Sequence, residues 1–355
     1  MTSSCLITGG AGFLGATLAL AVRRRWPDSR VVALDNLRRR GSEYNLPRLA
    51  RAGVQFVHGD IRSAEDLAEL PAADYLLECS AEPSVQAGYH GGPQYVLNTN
   101  LFGSVNCLDY AQRHGAKVLF FSTSRVYPMG LLNEVRFEEA ETRFEWTDEQ
   151  PLVGVSSQGV REEFPLSGPR SLYGMTKLAS EMLLEEYAAA YGLRYVIDRC
   201  GVLAGPWQMG KIDQGILAFW VARHLFQRPL KYLGFGGAGK QVRDFLHVDD
   251  LCSLVLEQME RFEAFEGQAW NVGGGRTHSV SLCELTELCQ EATGNTVSIG
   301  SEPETRMADV RVYLSDCTKL FQQTAWRPTR TAHDTVADIA IWLRERAGEL
   351  AGIVG

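Results

Sequence analysis

The feature that most constrains this chain is a glycine-rich turn near its start, Thr8-Gly9-Gly10-Ala11-Gly12-Phe13-Leu14-Gly15. The apolar run before the turn is typical of a buried strand, and residues 16–25 after it have helical spacing. At such a junction Gly9 permits the tight turn, Gly12 lets a pyrophosphate approach the helix N-terminus, and Gly15 lets helix and strand pack closely. The turn therefore predicts a dinucleotide site.

An acidic residue supports this prediction. The second apolar strand, residues 30–34, ends in Asp35, at the spacing where an acid binds the adenosine ribose hydroxyls. Three arginines follow within residues 36–42, and they could hold the 2′-phosphate of NADP. Asp35 would repel that phosphate, so we predict NAD. The arginines would then form a solvated loop or contact the pyrophosphate or the substrate.

Further strands and helices alternate along the chain. Residues 54–57 are a third strand, followed by Asp60, which could accept a hydrogen bond from the adenine amino group. Residues 75–79 are a fourth strand, after which small residues such as Ala81 let the ribose lie against the backbone. A helix over residues 93–114 carries Asn100, either as a brace for neighbouring backbone or as a cofactor contact. The fifth strand, residues 117–121, delivers Ser122 and Thr123 to its tip, and the alternation predicts an α/β fold with a doubly wound parallel sheet.

The bulk composition narrows the partners. With 355 residues and 45% hydrophobic content, the chain can form one large domain or two. A net charge of −8 argues against nucleic acid and anionic membranes as partners, so a phosphate-bearing substrate needs a local basic cluster. Without a bilayer-length apolar run or a signal peptide, we expect a cytoplasmic protein. Eight scattered cysteines and seven dispersed histidines predict neither disulfides nor a metal site.

The chemistry is predicted from Tyr173 and Lys177. Residues 131–169 are expected to be a surface excursion with a turn or hairpin near Gly154, and a strongly helical pattern begins after Ser171. Tyr173 and Lys177 share one face of that helix. An ammonium group one turn away lowers the pKa of a phenol, which lets a tyrosine act as a base. Lys177 can also hold the nicotinamide ribose, and Thr123 can bond to the same substrate oxygen; the alternative is a surface lysine over a packed tyrosine.

These motifs together resemble the extended short-chain dehydrogenase/reductase superfamily, specifically its sugar-nucleotide epimerases and dehydratases. The resemblance covers nearly the whole chain and includes the TGGAGFLG turn, STSRVY at 122–127 and YGMTK at 173–177. It implies that Thr123 is the catalytic hydroxyl, Tyr173 the acid/base and Lys177 its helper. It also implies a Rossmann domain over residues 1–204, 242–272 and 330–355, with a substrate domain over residues 205–241 and 273–329. The resemblance and the motifs together predict these NAD-binding residues: Gly9, Gly12, Phe13, Leu14, Gly15, Asp35, Asn36, Asp60, Ile61, Ala81, Asn100, Ser122, Tyr173 and Lys177.

The C-terminal half resembles one branch of this family more than the others. The runs KIDQG at 211–215 and GKQVRD at 239–244 are similar to the 2-epimerases that convert CDP-paratose to CDP-tyvelose. Arg243 and Arg306 suit a nucleotide diphosphate because guanidinium groups pair bidentately with phosphate oxygens. Arg243 could instead be a salt-bridge partner of Asp244 or Asp249. The expected substrate-binding residues are Glu82, Ser84, Ser124, Arg125, Gln208, Lys211, Gln214, Arg243 and Arg306.

The resemblance implies a nucleotide-diphosphate-sugar epimerase that keeps NAD bound, acting at carbon 2, with UDP-sugar 4-epimerisation as the alternative. Dehydratases of the family place Asp-Glu directly after the catalytic Thr, whereas Ser124 and Arg125 stand there in this chain. A decarboxylase or an NADPH-dependent keto-sugar reductase remains open. A non-catalytic dinucleotide sensor would be expected to lack Thr123, Tyr173 or Lys177. A homodimer or homotetramer is expected, because the helices carrying Asn100 and Lys177 commonly pair across a two-fold axis in this family.

Overall fold

The computed structural model describes residues 4–89, 91–211 and 214–354. These residues form two compact units. Unit 1 comprises Met1–Val126, Leu172–Arg199 and Cys252–Trp270, and unit 2 comprises Tyr127–Ser171, Cys200–Leu251 and Asn271–Gly355. Across the described ranges, no helix combines the length and the apolar character that crossing a membrane requires.

The strands are short and follow the chain in this order: β1 (Cys5–Thr8), β2 (Val31–Asp35), β3 (Gln55–His58), β4 (Tyr75–Glu78), β5 (Lys117–Thr123), β6 (Phe137–Glu139), β7 (Phe144–Trp146), β8 (Val155–Ser156), β9 (Gly159–Val160), β10 (Tyr195–Cys200), β11 (Val202–Ala204), β12 (Leu230–Leu233), β13 (Val242–His247), β14 (Ala269–Val272), β15 (Ser279–Ser281), β16 (Ile299–Glu302) and β17 (Val312–Tyr313). The helices are α1 (Phe13–Arg25), α2 (Leu46–Arg51), α3 (Ala64–Ala68), α4 (Gln94–Leu97), α5 (Gly103–His114), α6 (Met129–Glu134), α7 (Leu172–Tyr191), α8 (Ile216–Leu225), α9 (Val248–Glu260), α10 (Leu282–Thr293), α11 (Thr318–Gln323), α12 (Ala332–Glu345) and α13 (Ala347–Leu350).

Unit 1 is built on a seven-stranded sheet with the order β14-β10-β5-β4-β1-β2-β3. The pairings from β5 through β4, β1 and β2 to β3 are all parallel. Its strands are nearly continuous apolar runs, as expected for a sheet that helices cover on both faces. One core cluster joins strand residues such as Leu76 and Phe120 to α5 residues such as Leu108 and Tyr110. This is the doubly wound α/β sheet that the sequence predicts.

The predicted helix over residues 93–114 is not one regular α-helix. It starts as α4 and ends as α5, with a π-helical turn at Asn98–Phe102 between them. Such turns insert one extra residue into a helix and often mark functional sites. Residue periodicity does not reveal the insertion, because the apolar face continues on both sides of it.

Unit 2 has smaller sheets and a group of packed helices. One sheet has the order β11-β13-β15, with β17 also pairing with β13, and the two-stranded sheets are β12-β16, β6-β7 and β8-β9. The β8-β9 hairpin lies next to Gly154, where a turn was predicted. Helices α8, α10 and α12 pack against one another, and a capping box of Ser281 and Glu284 opens α10. Trp220, Trp326 and Trp342 are buried in this unit.

Candidate functional site

The glycine turn joins β1 to α1 in unit 1. Gly9 has a φ of +61°, and a Cβ added at Gly15 would lie 2.2 Å from the Gly9 carbonyl oxygen, so a side chain at 15 would force strand and helix apart. Gly12 is the N-cap residue of α1 and has an extended backbone. The amides of the first helical turn lack intrahelical acceptors and therefore suit a pyrophosphate.

Asp35 lies beside this turn at the end of β2. Its Oδ2 accepts a hydrogen bond from the Ala11 amide at 3.1 Å, and its Oδ1 accepts one from the Leu37 amide at 2.8 Å. Burial raises the pKa of Asp35, while these amides oppose the shift. A carboxylate offers about four acceptor positions, so capacity remains for ribose hydroxyls. The glycine turn at Gly9–Gly15 and the Asp35 carboxylate therefore suit the adenosine half of a dinucleotide.

Asp60 has more hydrogen-bond partners within the protein than the sequence suggests. Its carboxylate accepts a hydrogen bond from Arg62 Nε at 2.9 Å and one from Asn36 Nδ2 at 2.8 Å, and the Arg62 guanidinium holds its pKa well below the usual range. Arg38 and Arg62 both contact the Tyr95 ring, with guanidinium carbons 4.1 and 5.4 Å from its centroid. The predicted contacts of Asn36 and Asp60 with the cofactor stay predictions, as does that of Ile61, which packs against Gly103.

Asn100 lies inside the π-helical turn and is buried. Its Oδ1 accepts a hydrogen bond from the Glu82 amide at 2.7 Å, and its Nδ2 donates one to the Glu82 carbonyl at 3.0 Å. The side chain thus braces the loop after β4, which carries the predicted site residues Ala81, Glu82 and Ser84. Within this loop the Ser84 amide donates a hydrogen bond to the Glu82 carboxylate at 3.2 Å. A direct contact between Asn100 and the cofactor stays a prediction.

The tip of β5 holds two hydroxyls with different partners. Thr123 Oγ1 accepts a hydrogen bond from the Arg125 amide at 3.2 Å, which leaves the Thr123 hydroxyl proton available for donation to another group. Ser122 Oγ donates to Glu181 on α7, and Arg199 on β10 binds the same carboxylate through Nη2 at 2.7 Å. Ser122 therefore anchors α7 to the sheet, and any cofactor contact it makes stays a prediction.

Helix α7 brings Tyr173 and Lys177 to the β5 tip. Gly174 packs directly on the turn after β5, since a Cβ there would lie 2.0 Å from the Arg125 carbonyl oxygen. Tyr173 is partly exposed, whereas Lys177 is 2% exposed, with its Nζ 4.2 Å from the centroid of the Phe120 ring. The sequence alternative of a surface lysine is wrong, because Lys177 is buried. The start of α7, with the partly exposed Tyr173 and the buried Lys177, thus packs beside the β5 tip that carries Thr123. This arrangement is suited to moving a proton at a substrate hydroxyl.

Glu78, the last residue of β4, is not among the site residues predicted from the sequence. Its side chain is fully buried, and burial raises its pKa while the Lys177 ammonium and the hydrogen bond with Ser104 oppose the shift. The sequence signal that could have identified Glu78 is its place at the end of an otherwise apolar parallel strand. Such positions are normally buried, and a buried acid needs a partner.

The other predicted substrate residues lie in unit 2, apart from Ser124, which is buried, and Arg125, which is half-buried, both in the turn after β5. Gln208 is buried, and its Nε2 donates to the Leu203 carbonyl at 2.9 Å. Lys211 and Gln214 exchange two backbone hydrogen bonds around Ile212 and Asp213, which lie outside the described residues. Arg306 is exposed.

Arg243 has an ion-pair partner that the sequence did not suggest. Its Nη2 lies 3.0 Å from Asp309 Oδ1 and also donates to the Val310 carbonyl at 2.6 Å. Asp244 instead accepts hydrogen bonds from the amides of Gly275 and Ser315, and Asp249 pairs with Arg330. Arg243 is thus held in place by residues 309–310, and its binding of phosphate stays a prediction.

Comparison with known proteins bears on this site. The model of the NAD dependent epimerase/dehydratase family matches residues 5–273. The chain is 30% identical to CDP-paratose 2-epimerase of Salmonella typhi over 95% of its own length and 98% of that protein. It is also 29% identical to dTDP-glucose 4,6-dehydratase of Mycobacterium tuberculosis, over 92% and 88% of the two chains.

The chain is also similar to a solved structure. The structure of UDP-glucose 4-epimerase from Thermus thermophilus in complex with NAD is similar with a TM-score of 0.76 and 25% identity, covering 96% of this chain and 99% of that one. The matched residues 5–273 include the glycine turn, the β5 tip and α7.

Proposed function

Since the chain belongs to the NAD dependent epimerase/dehydratase family, we propose that it is a nucleotide-sugar epimerase. It would oxidise one carbon of the sugar transiently and reduce it again from the opposite face. The observation that carries the proposal is the packing of the start of α7, with Tyr173 and Lys177, on the turn after the β5 tip, where Thr123 lies.

NAD is the cofactor of this family. We propose that the glycine turn holds its pyrophosphate and that Asp35 holds the adenosine ribose, because the turn and the free acceptor positions suit those groups. When bound, NAD supplies a ring that accepts a hydride from a sugar carbon and can return it. The other parts of the cycle fall to side chains of the protein.

Tyr173 is the proposed acid/base. Its phenolate takes the proton of the sugar hydroxyl during oxidation and gives it back during reduction. The Lys177 ammonium, one helical turn away, stabilises the phenolate. Thr123 would donate its hydroxyl proton to the same sugar oxygen, because accepting from the Arg125 amide leaves that proton available. These roles need no net supply of reducing equivalents.

For the substrate we propose a nucleotide-diphosphate sugar, with CDP-paratose as the first candidate and carbon 2 as the reacting centre. The similarity to CDP-paratose 2-epimerase over nearly the full length supports this choice. Arg243 and Arg306 would bind the diphosphate. UDP-sugar 4-epimerisation is the second candidate, supported by the similarity to a UDP-glucose 4-epimerase.

A dehydratase is the alternative from another reaction class, and the similarity to a dTDP-glucose 4,6-dehydratase supports it. Ser124 and Arg125 oppose it, because neither side chain is an acid that could protonate a leaving hydroxyl as the Asp-Glu pair of dehydratases does.

The test is incubation with CDP-paratose, UDP-glucose and dTDP-glucose in deuterated water, followed by mass spectrometry and NMR of the products. An epimerase yields an isomer of unchanged mass without deuterium on carbon. A product lighter by one water, with deuterium at carbon, would identify a dehydratase and overturn the proposal. Failure of all three sugars to react would overturn the proposed substrates.

A further inference from the structure

Glu78 is a buried carboxyl that the proposed reaction does not use. It ends β4, where the other residues of the strand are apolar, and its side chain is wholly removed from solvent. Its Oε1 is in hydrogen-bond contact with Ser104 Oγ on α5, and its Oε2 has no hydrogen-bond partner among the described residues. A buried ionised carboxylate with one oxygen unsatisfied is costly, whereas the carbonyl oxygen of a protonated carboxyl tolerates that position better.

Counting protons around Ser104 favours the protonated form. Ser104 Oγ also lies 2.9 Å from the Asn100 carbonyl oxygen, and a hydroxyl has one proton to donate. If Ser104 donates to Asn100, its contact with Glu78 requires a proton on the carboxyl. Ser180 Oγ lies 3.2 Å from the same Asn100 carbonyl but nearer, at 3.0 Å, to the Thr176 carbonyl, so Ser104 is the better donor to Asn100.

Lys177 is the charged group beside this carboxyl. Glu78 pairs in register with Phe120 on β5, and residues in register on parallel strands project to the same face of the sheet. The Lys177 Nζ lies over the Phe120 ring on that face. Among the described residues, the thiols of Cys79 and Cys107 also interact electrostatically with Glu78, and burial raises the pKa of both well above the usual range, so they are uncharged.

We propose that Glu78 is a positioning residue for the Tyr173–Lys177 pair, whose carboxyl stays protonated, donates to Ser104 and leaves the ammonium charge of Lys177 directed at the phenol. The proposal rests on the proposed acid/base role of Tyr173. An ionised Glu78 would share the ammonium and weaken its effect on the phenol. The same proton ties β4 to the turn that carries Asn100, and Asn100 braces the loop at Glu82.

The first test measures the proton itself. The infrared difference spectrum of wild type minus Glu78→Gln, recorded at neutral pH without substrate, should contain the carbonyl band of a protonated carboxylic acid. Asp60→Asn is the matched control and should lack such a band, because the Arg62 guanidinium keeps Asp60 ionised. A spectrum with only carboxylate bands for Glu78 would overturn the proposal. The result does not depend on turnover, so it stands apart from any failure of the proposed function.

The second test compares two substitutions. Gln is a neutral isostere that can donate to Ser104, so Glu78→Gln should keep kcat within about threefold of wild type near neutral pH. Glu78→Leu cannot donate and should lower kcat by about tenfold or more, with a smaller change in KM. Equal losses in both variants would show that the charge is needed, and unchanged kcat in both would show that Glu78 is not needed; either would overturn the proposal. If Glu78→Leu does not fold, Ser104→Ala is used in its place. Without the Ser104 hydroxyl to accept the proton of Glu78, the carbonyl band of the acid should move to higher frequency. An unmoved band would count against the proposal.

Discussion

Tyr173 and Lys177 differ in their exposure, and this difference matters for their proposed roles. The phenol is partly exposed and can meet a substrate, whereas the ammonium is buried on the Phe120 ring and acts where water screens it little. Thr123 completes the group with a hydroxyl whose orientation the Arg125 amide sets.

We expect Tyr173→Phe to lower kcat by about a hundredfold or more, because general acid–base catalysis by one side chain contributes about 10²–10⁴. Steady-state turnover of the nucleotide sugar measures the loss, and NAD content of the purified variant should equal that of wild type. Tyr187→Phe is the matched control on the same helix, since its hydroxyl bonds to Asp109 at 2.6 Å. A Tyr173→Phe variant with normal turnover would remove Tyr173 from the mechanism.

At the scale of elements, α7 is fixed to the sheet at two points. Near its start, Gly174 lies against the Arg125 carbonyl. One turn beyond Lys177, Glu181 is bound by Arg199 and by Ser122, in a buried ion pair at 2.7 Å. Lys177 lies between the two anchors and Tyr173 directly precedes the first, so the position of the phenol depends on these contacts as well as on the residue itself.

Gly174→Ala is expected to lower both kcat and stability, because the added methyl group cannot fit 2.0 Å from a carbonyl oxygen and α7 must move. The unfolding free energy should fall by about 1–3 kcal/mol, the usual effect of overpacking. Turnover and urea unfolding measure the two effects. Gly130→Ala in α6 is the control, since a Cβ there meets no atom within 4 Å. Equal behaviour of the two variants would contradict the close contact.

The elements near the site differ in how well the sequence predicts them. The glycine turn, the strand ending at Asp35 and the Tyr-Lys spacing are local patterns, and the strands and helices they predicted are confirmed. The Arg243–Asp309 ion pair joins residues far apart in the chain, so no local pattern contained it. The partners of Glu78 likewise come from α5 and α7, and only the fold brings these helices to β4.

At the scale of the whole molecule, a second buried acid makes stability depend on pH. Asp198 on β10 accepts a hydrogen bond from Gln258 Nε2 at 2.8 Å, and burial raises its pKa to about 7. The folded state therefore holds a proton that the unfolded chain releases near pH 4. The contribution of this proton to the free energy of unfolding is fully present below about pH 4 and is lost as pH rises toward 7.

Asp198→Asn should remove this dependence. Relative to wild type, the variant should gain stability between about pH 4 and 7, by about 1.4 kcal/mol for each unit of pKa difference, and gain nothing further above pH 7. Urea unfolding across that range measures it. Asn can also donate to Gln258 Oε1, which has no hydrogen-bond partner among the described residues. A constant difference between the two proteins across the pH range would contradict the raised pKa.

Assembly is the remaining whole-molecule expectation. Phe102, at the end of the π-helical turn, and Met182, on α7, are 58% and 60% exposed. We expect a homodimer or homotetramer that buries both, because large exposed apolar side chains often mark interfaces. Phe102→Ser with Met182→Glu should shift the mass measured by light scattering toward the monomer. Ile341→Ser, a substitution at an exposed apolar residue of α12, is the control and should not. A wild-type protein already monomeric would refute the expectation.

The extra residue in the helix before α5 also limits how this enzyme can be recombined with its relatives. A chimaera that received a straight helix for residues 94–114 would rotate everything beyond the splice by roughly a quarter-turn. Asn100 could then no longer form its two hydrogen bonds with the backbone amide and carbonyl of Glu82. Chimaeras that keep the whole π-helical turn should retain function, whereas chimaeras joined within the turn should not.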